Sequence, residues 1–213
     1  MEVTIRSGEL QLPGVLEIPR HARGIVLFAH GSGSSRRSPR NQGVAERLND
    51  LGIATLLLDL LTEEEATNRA TVFDIPLLGR RLATATRWIE KHPEAGHLPI
   101  GYFGASTGAA AALWAAAEFG SLIRAVVSRG GRPDLAGHRL RDVQAPTLLI
   151  VGGQDVPVLE LNEAAHERLP HSELLVIPGA THLFEEPGML EEVAASAGEW
   201  FVEQFPKRLP RAA

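Results

Sequence analysis

The chain alternates between short apolar runs and longer segments in which apolar residues recur with helical spacing. Several of the apolar runs are apolar on both faces, and most end in glycine or polar residues. Strands of this kind, separated by helices, are typical of a parallel sheet that is covered by helices on both sides. The predicted strands lie at residues 24–31, 53–61, 100–106, 123–131, 145–155 and 172–182. The predicted helices lie at residues 38–52, 74–92, 107–120, 159–170 and 188–205.

The N-terminal residues have the pattern of a β-hairpin, with strands at 3–8 and 14–19. Together these elements predict a three-layer α/β domain with a mostly parallel sheet of about eight strands, the first pair antiparallel. Residues 62–72 are polar and carry a run of glutamates, which predicts a solvated loop. Since no linker rich in Pro, Gly or Ser divides the chain, residues 1–213 are expected to form a single domain.

The composition of the chain excludes several functions and kinds of site. The net charge of −5 gives no basic excess that would attract nucleic acid. Only residues 206–213 are locally basic, and they are expected to be a frayed, solvated end. The absence of cysteine excludes disulfides, thiolate metal sites and a cysteine nucleophile.

Membrane attachment is not expected either. No apolar run approaches the ~20 residues that a membrane span needs, and the first residues lack the pattern of a signal peptide. We therefore expect a cytoplasmic protein, monomeric or homodimeric, that acts on a small molecule without a metal or other cofactor.

Polar residues at the carboxyl ends of parallel strands carry the candidate chemistry, because binding sites form at that edge. Ser106 lies in "GASTG" (residues 104–108), between a predicted strand and a predicted helix, and fits the G-x-S-x-G pattern of a nucleophile elbow. A serine on such a turn has a strained backbone, and side chains two positions away would crowd it. The pattern therefore predicts that Ser106 is a nucleophile.

A serine nucleophile needs a base and an acid that orients the base. The chain order Ser, acid, His places the base downstream of the acid. His182 follows the last predicted strand, downstream of the two candidate acids, Asp155 and Asp134. Asp155 ends the preceding strand in "GGQD", whose glycines are expected to free the backbone to turn the carboxylate toward His182. Asp134 is the alternative acid, one strand earlier, and Asp59 is expected to make only structural hydrogen bonds. The other histidines are interpreted as surface residues, with the exception of His30, which ends a strand.

The loop "HGSGSS" (residues 30–35) follows the third strand, and its glycines would let the backbone approach a reacting carbonyl. The predicted oxyanion hole consists of the Thr107 amide and the Ser32 amide, with Gly33 as the second choice in this loop. A phosphate-binding loop is the rival interpretation, but neither glycine-rich phosphate spacing is present.

The stretches "AHGSGSS", "GASTG", "GGQD" and "GATH" resemble the α/β-hydrolase superfamily over essentially the whole chain. "FAHGSGSSRRSPRN", "TLLLDLLTEEEA" and "VVSRGGRPDLAG" are similar to a group of dienelactone hydrolase-like proteins, whose members also occur fused to a phosphoribosyltransferase domain. The resemblance implies a triad of Ser106, Asp155 and His182 and acyl-enzyme chemistry on esters. Dienelactone hydrolase proper uses cysteine, so the serine here favours ordinary carboxylic esters. Residues 132–145 stand where a lid would enter and are too few to form one, which predicts an open site for small or accessible esters.

Two other functions remain open from the sequence. The same residues could transfer the acyl group to another acceptor, including hydrogen peroxide, or the fold could be a binding module without catalysis. Several arginines follow strand ends or the glycine-rich loop: Arg36, Arg37, Arg40, Arg129 and Arg132. They could form structural ion pairs or bind an anionic substrate, and Arg129 is the best candidate for substrate binding.

Overall fold

A computed structural model describes residues 1–205, so the predicted basic end at residues 206–213 lies outside the described residues. These residues form one eight-stranded sheet, as predicted. Its strands are β1 (Glu2–Ser7), β2 (Leu10–Glu17), β3 (Ile25–Ala29), β4 (Ala54–Leu58), β5 (Ile100–Ala105), β6 (Ile123–Arg129), β7 (Thr147–Gly152) and β8 (Ser172–Ile177). They are arranged in the order β1-β2-β4-β3-β5-β6-β7-β8. β1 and β2 form the predicted antiparallel hairpin, β2 is antiparallel to β4, and every other pairing is parallel.

Helices connect the strands. They are α1 (Pro39–Asp50), α2 (Glu63–Ala66), α3 (Arg69–Val72), α4 (Ile75–Glu90), α5 (Thr107–Phe119), α6 (Val156–His166) and α7 (Met189–Gln204). α1, α4, α5 and α7 begin within one residue of the predicted starts, whereas α6 begins three residues earlier than predicted. The Asp74 carboxylate accepts a hydrogen bond from the Leu77 amide at 2.9 Å and caps α4. None of the helices in residues 1–205 is long and apolar enough to cross a membrane.

The sheet separates two apolar cores, which explains why its central strands are apolar on both faces. Successive residues of β5 point to opposite sides, so Tyr102 lies in the core under α4 and α5. Phe103 lies in the other core, on the face of the sheet that α1 and α7 cover. Its ring centroid is 4.9 Å from that of Phe28. The three-layer architecture predicted from the sequence is therefore confirmed.

The prediction of a loop at residues 62–72 was wrong, because this segment forms the short helices α2 and α3. Thr62 and Glu65 form a capping box at the start of α2. Glu65 also accepts two hydrogen bonds, at 2.6 and 2.7 Å, from the buried guanidinium of Arg81 on α4. That ion pair lowers the pKa of Glu65 to about 2. The glutamate run therefore contains a tertiary anchor that a pattern of charges alone does not reveal.

The connection between β6 and β7 adds no lid. It contains only a 3₁₀ segment, Pro133–Asp142, which packs against α5 and α6. The carboxyl edge of the central strands, where Ser106 and the glycine-rich loop lie, has no inserted domain over it in the described part of the chain.

Two glycines test how tightly the fold is packed beneath this edge. A Cβ on Gly108 would lie 2.1 Å from the carbonyl oxygen of Ala29, whereas a Cβ on Gly43, inside α1, would have no atom within 4 Å. We predict that Gly108→Ala lowers the free energy of unfolding by about 1–3 kcal/mol through overpacking. Gly43→Ala should raise it by about 0.5–1 kcal/mol. Urea denaturation of both variants checks this, and equal effects would contradict the packing argument.

Candidate active site

The turn from β5 into α5 holds Ser106 in an unusual backbone conformation, with φ 50° and ψ −120°. A non-glycine residue in this region is strained, and such strain persists only where surrounding contacts impose it. Here the Ser106 amide donates to the Arg129 carbonyl at 3.2 Å, and the Ser106 carbonyl accepts from the amides of Arg132 and Ala109 at 3.0 and 3.1 Å. The neighbouring strand β6 and the turn after it therefore fix the conformation of Ser106.

Close contacts explain both glycines of the G-x-S-x-G pattern. A Cβ on Gly104 would lie 2.4 Å from the Cα of Ala109. A Cβ on Gly108 would lie 2.1 Å from the carbonyl oxygen of Ala29 and 2.6 Å from that of His30. Neither glycine has a positive φ, so both are required by the approach of α5 to the sheet. The alanine-rich start of α5 permits the same close packing, because these side chains are buried and small.

A side-chain hydrogen bond joins Asp155 and His182. The Nδ1 atom of His182 lies 2.6 Å from Oδ2 of Asp155, although the two residues are 27 positions apart. Asp155 follows β7 and precedes α6, and its side chain is 15% exposed, whereas that of His182 is 37% exposed. The carboxylate is therefore sheltered, while part of the imidazole ring reaches solvent.

The glycines of "GGQD" serve a different purpose from the one predicted. Neither Gly152 nor Gly153 has a positive φ. A Cβ on Gly152 would instead lie 2.4 Å from the carbonyl oxygen of Ala180 and 2.6 Å from that of Thr181. The loop that carries His182 thus packs directly on the turn that carries Asp155, and only a glycine permits that approach.

The alternative acid, Asp134, has another partner. Both of its carboxylate oxygens accept hydrogen bonds from the Arg132 side chain at 2.8 Å. Arg132 also donates its amide to the Ser106 carbonyl. Asp134 therefore helps to hold the turn after β6, and the structure does not bring it to His182.

Ser106 and His182 both lie next to the end of β6, at Arg129 and Gly130. A Cβ on Gly130 would lie 3.0 Å from the His182 carbonyl oxygen and 3.6 Å from Cε1 of its ring. Arg129, one residue earlier, accepts the hydrogen bond from the Ser106 amide. The structure thus places His182 at the same edge of the sheet as Ser106, but it records no hydrogen bond between the Ser106 hydroxyl and the His182 ring.

The loop with His182 is held by residues that the sequence did not single out as functional. Phe184 is 1% exposed, has φ 57°, and packs its ring against Gly130. The Thr181 amide donates to both carboxylate oxygens of Glu186 at 3.2 Å, and this bond lowers the pKa of Glu186. The only sequence signal that could have indicated this anchor is the aromatic residue Phe184, two positions after the candidate base His182.

The predicted oxyanion donors lie on one small crevice. Ser32, Gly33 and Thr107 line it together with the apolar side chains of Leu61, Ala66, Val72 and Leu78. Ser32 and Gly33 are exposed, and Gly33 has φ 68°. Thr107 is the first residue of α5, and amides in the first turn of a helix have no partner within the helix. The residues of the predicted oxyanion donors thus line one crevice, and Thr107 follows Ser106 directly in the chain.

His30 and Arg36 fix the loop that contains Ser32. The Leu60 amide donates to Nε2 of His30 at 2.9 Å, so Nδ1 carries the proton and bonds the Gly31 carbonyl at 3.0 Å. Arg36 bonds Asp59 through both its amide, at 2.6 Å, and its guanidinium. Asp59 therefore makes structural bonds, as the sequence predicted, and together with Leu60 it holds the loop from the end of β4.

The buried side chain of His30 makes the free energy of unfolding depend on pH. Burial lowers the pKa of His30 below its ordinary value of 6.5. The unfolded chain therefore binds a proton there more readily, so the free energy of unfolding must fall as the pH drops below about 6.5. We predict a smaller loss of stability between about pH 7 and 5 for His30→Gln than for the wild type.

Urea denaturation across that pH range measures the effect. The exposed His138 supplies the matched control, and His138→Gln should follow the wild-type curve. If His30→Gln also followed the wild-type curve, the lowering of the His30 pKa by burial would be contradicted.

The fold defines the class of the protein. A mostly parallel eight-stranded sheet, with a strained serine between β5 and α5, is an α/β-hydrolase fold. Residues 12–205 match the model of the dienelactone hydrolase family. The chain belongs to this family, and the resemblance found in its motifs is confirmed.

Solved structures agree with the assignment. A dienelactone hydrolase from Anabaena variabilis superposes with a TM-score of 0.94 and 56% sequence identity, over 97% of this chain and 98% of that one. Est1E from Butyrivibrio proteoclasticus (TM-score 0.81, 19% identity, 95% and 98% of the two chains) shares the fold. So does an α/β serine hydrolase without a lid from Xanthomonas campestris (TM-score 0.80, 18% identity, 98% and 96%).

Curated relatives are longer. A protein found in two strains of Mycobacterium tuberculosis, named as a phosphoribosyl transferase, is 60% identical over 205 residues. The match covers 96% of this chain and 46% of that protein, so the chain spans about half the length of the curated relatives it matches. This is compatible with the fused arrangement that the resemblance implied.

Proposed function

We propose that the protein is a serine hydrolase that cleaves carboxylic esters of small or accessible substrates through an acyl-enzyme on Ser106. The hydrogen bond between Nδ1 of His182 and Asp155 carries this proposal. Because Nδ1 donates to the carboxylate, Nε2 is the nitrogen left to accept a proton. Hydrogen bonds between nucleophile and base are often long in free enzymes and tighten when substrate binds, so the missing Ser106–His182 bond is compatible with this role.

The first step forms the acyl-enzyme. His182 takes the hydroxyl proton at Nε2 while Oγ of Ser106 attacks the ester carbonyl carbon. Asp155 stabilises the imidazolium that results and holds its orientation. The tetrahedral intermediate then collapses, the bond from the acyl carbon to the alcohol oxygen breaks, and His182 returns the proton to the leaving alcohol.

Backbone donors stabilise the negative charge of the intermediate. The Thr107 amide lies at the N-terminus of α5, whose positive partial charge favours an oxyanion. The Ser32 amide is the proposed second donor because it lines the same crevice, and Gly33 is the neighbouring contact for substrate. Removing one such donor costs other enzymes about 10²–10³-fold in kcat, which sets the scale of the contribution.

Water completes the reaction. His182 accepts a proton from water at Nε2 while the water oxygen attacks the acyl carbon. The bond from the acyl carbon to Oγ of Ser106 then breaks, and His182 returns the proton to Oγ as the acid product leaves. The partly exposed His182 and the exposed Ser32–Gly33 turn give water access, which favours hydrolysis over transfer to another acceptor. The absence of a lid over the described part of the site favours accessible esters and argues against activation at a lipid surface.

Replacement of the nucleophile tests the proposal. Ser106→Ala should abolish hydrolysis of p-nitrophenyl esters and labelling by a fluorophosphonate probe, while the circular dichroism spectrum stays that of the wild type. A panel of p-nitrophenyl esters of increasing chain length defines the substrate, with the short members preferred. Wild-type protein that neither reacts with the probe nor cleaves any ester would instead support a binding module.

The two acids near the site provide a matched pair. Asp155→Asn should lower kcat on the order of 10³–10⁴-fold, because the ring of His182 loses the partner that fixes its tautomer. Asp134→Asn should keep kcat within a few-fold, since Asp134 bonds only Arg132. Steady-state kinetics with one ester decide between them, and the reverse order of effects would assign the acid to Asp134.

A further inference from the structure

One charged side chain beside the site has no counter-ion among residues 1–205. Arg129 is 7% exposed, and its Nε atom is buried without a hydrogen-bond partner. Within the described part of the chain, its only side-chain hydrogen bond joins Nη2 to Oδ1 of Asn41 at 3.5 Å, the outer limit for such a bond. The charged group that acts on it is another cation, Arg40.

Three of the other four arginines near this edge are paired, whereas Arg37 is exposed and has no ion pair among residues 1–205. Arg36 binds Asp59, Arg40 binds Glu185 at 2.8 Å, and Arg132 binds Asp134 at 2.8 Å. These pairs fit the interpretation of the arginines as structural ions. Arg129 does not fit it, because the ion pairs of the described residues give it no carboxylate.

The guanidinium of Arg129 is charged at neutral pH. Burial, together with Arg40, lowers its pKa to about 10, which still leaves the guanidinium protonated near pH 7. A buried charge without a partner is costly, so proteins rarely keep one without a use. The start of α1 adds a positive partial charge beside it, because Asn41 lies in the first turn of that helix.

The position of Arg129 connects this excess of positive charge to the proposed chemistry. Its carbonyl accepts the hydrogen bond from the Ser106 amide, and the next residue, Gly130, lies against the ring of His182. Asn41 belongs to the helix that follows the loop with Ser32. The main chain at Arg129 therefore adjoins the elements that carry the proposed nucleophile and base, and its guanidinium reaches the helix that follows the loop of the proposed oxyanion donor.

We propose that Arg129, supported by Asn41, is an anion subsite, so that the preferred ester carries a carboxylate or phosphate group. The guanidinium is suited to this because it presents several donors in one plane to paired anionic oxygens. The proposal deepens the ester hydrolysis proposed above and rests on it for the identity of the substrate. The binding of the anion itself does not depend on catalysis.

A comparison of two esters tests the subsite. Mono-p-nitrophenyl glutarate carries a carboxylate, and p-nitrophenyl valerate is its neutral counterpart of equal chain length. In Arg129→Gln, the ratio of kcat/KM for the acidic ester to that for the neutral ester should fall about 10- to 100-fold, as for the loss of a hydrogen bond to a charged group. Arg129→Lys, which keeps the charge, should lie between Arg129→Gln and the wild type and serves if the glutamine variant does not fold.

Arg124 provides the matched control, because it is exposed at the opposite end of β6. Arg124→Gln should leave the ratio unchanged. An equal loss on both esters in the Arg129 variants, or no loss on either, would overturn the subsite.

A binding measurement separates this proposal from the proposed function. Calorimetric titration of Ser106→Ala with glutarate, and separately with inorganic phosphate, should show binding that Arg129→Gln or Arg129→Lys weakens at least about tenfold. The stronger anion identifies the group on the substrate. If the protein cleaves no ester but binds an anion through Arg129, the function fails and the subsite stands. If neither anion binds the wild type or Ser106→Ala, the subsite fails even where esters are cleaved.

Discussion

The contact between the start of α5 and the central strands is the constraint on which the site depends. Gly104 and Gly108 let the helix approach the backbone of β3 and β5 so closely that no side chain fits between them. This approach, together with the hydrogen bonds from β6, holds Ser106 at a positive φ. The strain at Ser106 is thus a consequence of packing beneath it, and the proposed nucleophile needs no flexible loop to be presented.

The other parts of the site are built on the same rigid edge. The turn with Asp155 supports the loop with His182 through the contact at Gly152, and Phe184 anchors that loop in the core shared by α1 and α7. His30 and the Arg36–Asp59 pair tie the Ser32 loop to the end of β4. Each proposed catalytic group therefore has support from a buried neighbour, which lowers the cost of holding the geometry that a reaction requires.

Charge is distributed unevenly around this edge. Three arginines bind carboxylates and stabilise loops, whereas Arg129 is buried between the nucleophile turn and α1 with an amide oxygen as its partner. Since the protein as a whole is acidic, with a net charge of −5, the excess of positive charge is local. A local cation in a negatively charged protein can select an anionic substrate at short range, where screening is weak.

The sequence by itself determined the layers, the number of strands and the positions of Ser106, Asp155 and His182 at strand ends, because these follow from periodicity and short motifs. It did not determine the helices α2 and α3, because the Glu65–Arg81 ion pair that anchors them joins residues distant in the chain. The purpose of the "GGQD" glycines and the partner of Asp134 were likewise decided by tertiary structure. Both depend on which loops meet at the sheet edge, and local patterns do not encode contacts between distant segments. The lack of a carboxylate partner for Arg129 among residues 1–205 has the same origin, since only the folded arrangement shows which charges are left without partners.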